Sequence, residues 1–225
     1  SVTRSLRIAF CGEGNRDSQV MPIFIAKILG ELTPVEAFDL SVDTQRWDTR
    51  PKFPEALVTL VRQTQLLYHV VIMHVDADAT DQRQVRQYKV DPGLQALTKA
   101  GLPTASLVWA IPVQAIEAWL LASATAFTCA LTGSDERTHE IEFPQQPDRL
   151  STDKAKQLFD QGVYQLLART QRQRRRLHPD HFTELIAEEL TLNELRRLGA
   201  FQQFERDFVN VIAHLGYVTN YNNEL

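Results

Sequence analysis

The stretch His69-Val70-Val71-Ile72-Met73-His74-Val75-Asp76-Ala77-Asp78 decides the fold. From His69 to Val75 it is β-branched and nearly all apolar, as a strand covered on both faces must be. It then stops abruptly on two acids. Working outward toward the N-terminus, Leu57, Leu60 and Val61 give Glu55–Leu67 a helical period, and Val35–Val42 reads as a short strand. Met21, Phe24, Ile25, Ile28 and Leu32 predict a helix over Gln19–Leu32, with Asp17 or Ser18 as its N-cap and Pro22 in its first turn. Leu6–Cys11 is a compact apolar strand stopped by Gly12-Glu13-Gly14. Toward the C-terminus come a helix at Leu94–Ala100, a strand at Ala105–Ile111 and a helix at Gln114–Ala126. Strands alternating with helices predict an α/β fold, a mostly parallel Rossmann-like sheet with helices on both faces.

Beyond residue 127 the strand pattern ends. Residues 132–153 are polar with two prolines and read as an exposed connection. Residues 154–215 read as helices only. The last carries Phe201, Phe204, Phe208, Val211, Ile212 and Leu215 as one apolar stripe, ended by Gly216. The expected organisation is an α/β catalytic domain over 1–126 and a helical C-terminal extension, 127–225, packed on it.

A chain of 225 residues buries roughly 70% of its unfolded surface and needs no disulfide or zinc to hold a core. With 24 Lys+Arg against 28 Asp+Glu it carries −4, which excludes a strongly basic DNA-coating protein but not a local basic face. Cys11 and Cys129 lack CxxC partners and sit among apolar neighbours, the pattern of buried thiols in a reducing compartment. No apolar run approaches the ~18 residues of a membrane span. A cytoplasmic protein without membrane partners is expected.

The position of the acids points to chemistry. In a parallel sheet all strand C-termini face one edge, where ligands bind. Glu13 leaves the first strand between two glycines, Asp17 follows at the mouth of the next helix, and Asp76 and Asp78 leave the third strand. Clustered carboxylates repel unless a cation lies between them. Oxygen-only ligands favour Mg²⁺, or Mn²⁺, over zinc, and suit phosphoryl or phosphodiester chemistry. Each acid also has an ordinary reading as a cap or turn residue. Gly12-Glu13-Gly14 opens like a dinucleotide fingerprint, but Asp17 holds the third glycine's place, and no GK[ST] follows any strand.

Three segments carry a family resemblance. Glu13-Gly14-Asn15-Arg16-Asp17 resembles an EGxxE stretch with Asp in place of the second Glu. Val75-Asp76-Ala77-Asp78 matches a DxD. Ile111-Pro112-Val113-Gln114-Ala115-Ile116-Glu117-Ala118-Trp119-Leu120-Leu121-Ala122 resembles an (I/V)PxxxxEAWLLA segment. Leu198–Phe204 adds a weaker likeness. Together they resemble the TOPRIM superfamily, and within it small stand-alone TOPRIM-like proteins related to OLD-type nucleases, often found at antiphage loci. The resemblance implies Mg²⁺ or Mn²⁺ at Glu13, Asp76 and Asp78, which would be the catalytic residues, with Asp17 and Glu117 as further ligands. It implies a nuclease cleaving phosphodiester bonds, a role in antiviral defence, and a partner protein from the same locus. Asp76-Ala77-Asp78-Ala79-Thr80 also matches the DxDxT start of haloacid-dehalogenase-type phosphatases, although on the third strand rather than the first and with no later GDxxxD.

Residues 151–178 carry seven Lys/Arg against two Asp, while the rest of the chain sums to −9. Arg169, Arg172, Arg174, Arg175 and Arg176 follow one another without an acid, a positive track suited to a nucleic-acid backbone. Arg172, Arg175 and Arg176 are the expected backbone contacts. Lys89 and Arg83 follow the DxD in a polar loop, where solvated side chains are the default reading; Lys89 is the candidate contact to a phosphate backbone. No aromatics are interleaved with the arginines, so base reading is not expected. His74 shares a strand face with Asp76 and reads as a core histidine or a site neighbour. Two alternatives to a nuclease stand: a non-catalytic module that binds a partner protein or a nucleic-acid end, and a DxDxT phosphatase.

Overall fold

The computed structural model describes residues 4–12, 14–33, 38–46, 52–75, 82–112 and 115–218. Among them, β1 (Arg4–Gly12), β2 (Phe38–Arg46), β3 (Val70–His74) and β4 (Leu107–Ala110) form one parallel sheet in the order β2-β1-β3-β4. β1 pairs with β2 from Arg4↔Phe38 to Gly12↔Arg46 and with β3 from Ile8↔Val70 to Cys11↔Met73; β3 pairs with β4 from Val71↔Leu107 to His74↔Ala110.

Because side chains alternate across a strand, the apolar runs split between two cores. Leu6, Ile8 and Phe10 of β1, Val70 and Ile72 of β3, and Val108 and Ala110 of β4 face a large core. It is closed by α1 (Asn15–Leu32), α5 (Ile116–Leu120), α6 (Ala124–Thr132), α7 (Thr152–Leu167), α9 (Thr183–Glu189), α10 (Leu192–Leu195) and α11 (Gly199–His214). Ala9, Cys11, Val71, Met73, Trp109 and Ile111 face the other side. There they meet α2 (Phe53–Thr64) and a continuous helical segment: α3 (Gln82–Val85), a π turn (Arg86–Val90) and α4 (Asp91–Lys99). The expected α/β architecture, a parallel sheet between helical layers with a helical C-terminal part, is what the chain forms.

The order β2-β1-β3-β4 has one consequence for function. The chain steps from β1 outward to β2 with α1 on one face, then returns past β1 to β3 with α2 on the other. Connections leaving neighbouring strands to opposite faces open a crevice at their C-terminal ends. Here that crevice lies between β1 and β3.

Several boundaries differ from the sequence reading. α1 starts at Asn15 with Gly14 as N-cap, so Asp17 sits inside the first turn and Pro22 deep in the helix. Arg83 and Lys89 stand on helical backbone rather than in a loop. Val85 and Val90, five residues apart, are both buried, a spacing that the wider π turn accommodates. The helix expected over Gln114–Ala126 is two: Ser123 accepts the Ala126 N–H at 3.1 Å and restarts the chain as α6. The connection after α6 is packed rather than loose, with Ile141 and Pro147 buried and Phe143 edge-on to Phe127.

Residue 126 lies within α6, and the large core draws on both sides of it. Trp119 is its centre, touching Phe24 of α1 and Phe201 and Phe204 of α11. Among the described residues no helix is long and apolar enough to cross a membrane. Cys11 is buried, its thiol pushed up to about 12 by desolvation, and Cys129 is half-buried.

Candidate functional site

β1 ends on Gly12 and α1 is capped by Gly14. Gly12 is required by close approach, while Gly14 fits tightly under Asp17 on ordinary extended backbone (φ −121°, ψ 163°). A Cβ on Gly12 would stand 2.9 Å from the Phe10 ring and 3.1 Å from Asp17 Cβ; one on Gly14 would stand 3.2 Å from Asp17 Oδ2. That closeness lets Asp17 fold back over the turn. Its Oδ2 accepts the Gly14 N–H at 3.0 Å, and His74 Nδ1, fully buried at the end of β3, lies 3.3 Å from the same oxygen. The His74 ring also packs against Phe10. Asp17 and His74 therefore bridge β1, α1 and β3 across the crevice, and Asp17 acts as a helix cap.

Beside this turn lies Arg16, whose role the sequence reading missed. Its guanidinium donates from Nη1 to Glu117 Oε1 (2.8 Å), from Nη2 to Asp160 Oδ1 (2.8 Å) and from Nε to Asp180 Oδ1 (2.7 Å), and it lies 4.6 Å from the centre of the Phe159 ring. Burial opposes its charge, but the bonds to Asp180 and Asp160 and the field of Glu117 outweigh that and raise its basicity. Glu117 is 3% exposed, so Arg16 is the cation that makes its burial tolerable. The three acceptors come from α5, α7 and the 3₁₀ turn Pro179–Phe182, so one side chain ties the sheet edge to the C-terminal helices. The only hint in the sequence was a base set between Glu13 and Asp17.

Gly14, Asn15, Arg16, Asp17, Glu117, Lys156, Asp160 and Asp180 line a cleft of about 450 Å³, with four acids against two bases. A second cleft of about 400 Å³ opens where α7 meets α8 (Gln171–Arg176), lined by Gln161, Tyr164, Gln165, Ala168, Arg169, Thr170, Gln171 and Arg174.

The expected site residues divide as follows. Glu13, Asp76 and Asp78 lie outside the described residues. Asp17 and Glu117 meet at the acidic cleft, each engaged, by Gly14 N–H and by Arg16. Lys89 lies on the π turn, on the sheet face opposite the large core, and lines neither cleft. Arg172, Arg175 and Arg176 are exposed on α8 and line neither cleft, whereas Arg169 and Arg174 line the second. Among the described residues no three or more His, Cys, Asp or Glu side chains group as a metal-binding set. No protein-family model, curated protein or solved structure matches this chain.

Proposed function

We propose that the protein is a Mg²⁺- or Mn²⁺-dependent nuclease of TOPRIM type, hydrolysing phosphodiester bonds in nucleic acid. One observation carries the reading. β1 and β3 are neighbouring parallel strands in register, so the segments that follow Gly12 and Val75, which contain Glu13 and Asp76-Ala77-Asp78, leave the sheet from adjoining strands at its ligand-binding edge. The donor set suits a hard cation, being carboxylate only. Glu13, Asp76 and Asp78 would hold it. Asp17 and Glu117, each with one oxygen already engaged, would serve from the outer side of the set. A bound divalent ion there supplies Lewis acidity at a phosphate oxygen and lowers the pKa of a bound water. This chain's part is to bring the ends of β1 and β3 side by side, with Arg16 and His74 fixing Glu117 and Asp17. The exposed arginines of α8 would draw in the polyanion. A defence role and a partner from the same locus rest on the family resemblance alone.

The test is cleavage of single- and double-stranded DNA and RNA with Mg²⁺ or Mn²⁺, beside the Asp76→Ala/Asp78→Ala variant. Loss of at least a hundredfold in rate is expected. Cleavage untouched by the double substitution would sink the reading. No cleavage of any strand would favour a binding module, and turnover of a small phosphate ester through an aspartyl-phosphate at Asp76 would favour a phosphatase.

A further inference from the structure

The two clefts lie along one helix but differ in charge. Lys156 and Asp160 of α7 line the acidic one; Gln161, Tyr164 and Gln165, about one turn further on, line the other. The second cleft carries Arg169 and Arg174 and no acid. Among the described residues no carboxylate forms an ion pair with any of the five arginines from Arg169 to Arg176. Glu140, whose carboxyl is held low first by Arg137 and in small part by Arg169, is gripped by both Arg137 Nε and Nη2.

The tight turn between α7 and α8 sets this up. Thr170 caps α8 by accepting the Gln173 N–H, while Gln173 Oε1 accepts the N–H groups of both Arg169 and Thr170. That exchange holds the backbone and leaves the Arg169 guanidinium to the cleft. Arg174, on the following turn, lies over the Tyr164 ring with Cζ 4.8 Å from its centre. An aromatic that the linear sequence places ten residues from this arginine is thus brought beneath it. A planar cation on a ring, with a second cation and the side-chain amides of Gln161 and Gln165 beside it, is the chemistry that grips an unstacked base and its phosphates. About 400 Å³ is small for a ligand pocket, the size for one nucleotide unit and not for a duplex.

We propose that the α7–α8 cleft binds one nucleotide of a single-stranded nucleic acid, its base stacked on the Tyr164–Arg174 pair and its phosphates held by Arg169 and Arg174. The inference deepens the nuclease reading by naming single strands as the substrate class, and its test is kept separate from cleavage. Binding of fluorescein-labelled oligo-dT and oligo-U of about twelve nucleotides to the full chain would be followed by anisotropy in EDTA. An abasic strand and a duplex of equal length serve as comparison probes. Tyr164→Ala is expected to weaken oligo-dT about tenfold and to leave the abasic strand unchanged, while Tyr164→Phe binds as the parent does. Arg169→Gln/Arg174→Gln should lower the salt slope by about 1.4, near 0.7 for each phosphate no longer neutralised. Arg172→Gln/Arg175→Gln/Arg176→Gln should weaken both strands equally, so the preference for bases over abasic sites survives.

The proposal is overturned if abasic and normal strands bind alike, if the duplex binds as tightly, if the cleft substitutions change nothing, or if no strand binds. An inert protein that binds as described retains the cleft and loses the nuclease reading. A cleaving protein indifferent to Tyr164 and Arg169 does the reverse.

Discussion

Arg16 illustrates how a single side chain can hold two parts of a protein together. Its three carboxylate partners are far apart in sequence and each belongs to a different element. Glu117 is the most buried of them, and a buried carboxylate stripped of its cation costs more than the pair contributes over an apolar replacement. Arg16→Ala should therefore destabilise the chain by about 3 kcal/mol in urea unfolding. Adding Glu117→Gln should recover part of the loss, because the amide can be buried uncharged. A loss below about 0.5 kcal/mol, the usual range of surface changes, would mean that water already screens Glu117. Arg196 makes a second tie of this kind, joining Glu205 of α11 to Glu31 of α1, with its basicity raised by those bonds. In the linear sequence both arginines look like ordinary surface bases. Each is bound to at least one acid more than a hundred positions away.

Among the helices, α6 and α7 meet in close contact at Gly162. A Cβ on Gly162 would stand 2.9 Å from Phe127 Cε1 and 3.0 Å from its Cζ. Phe127 cannot swing aside, since its ring is fully buried and set edge-on against both Phe143 and Phe159. Alanine in mid-helix ordinarily adds about 1 kcal/mol over glycine. Here the overpacking outweighs it, and Gly162→Ala should cost about 1–2 kcal/mol net. A thermal melt higher than that of the parent would show that the ring relocates. The helices over Gln19–Leu32, Glu55–Leu67 and Phe201–Leu215 were legible from 3–4 spacing because each lays one apolar face on a core. The break at Ser123 was not, because the apolar pattern runs straight through it and only the cap marks the restart. The π turn at Arg86–Val90 escaped for a related reason: burial of Val85 and Val90 fits neither regular period.

Across the molecule, the large core is continuous from the sheet to the last helix. Phe127, Phe159, Val163, Ile186, Phe201, Phe204, Phe208 and Ile212 pack with Leu6, Ile8, Phe24 and Trp119 in one cluster. The segment 1–126 on its own would leave the inner face of α1 and one face of the sheet in water. Expressed alone it should lack a cooperative thermal transition and bind an apolar dye such as ANS. A cooperative melt of this fragment, with native-like near-ultraviolet dichroism, would show that the C-terminal helices are an accessory to an independent core.

The two-sided strand His69–Val75, the alternation of strands with helices and the apolar stripe of the last helix were all written in the chain, since they depend on the local period of apolar residues. Those periods sufficed for the parallel α/β architecture. Which strands lie side by side could not be read that way, because pairing joins segments sixty residues apart through backbone groups that every residue shares. The order β2-β1-β3-β4 places the crevice between β1 and β3. Folding likewise set His74 beside Asp17, gave Glu117 to Arg16, and brought Tyr164 to the underside of Arg174. Each of these is a contact across space between groups whose sequence neighbours carry no trace of the partner.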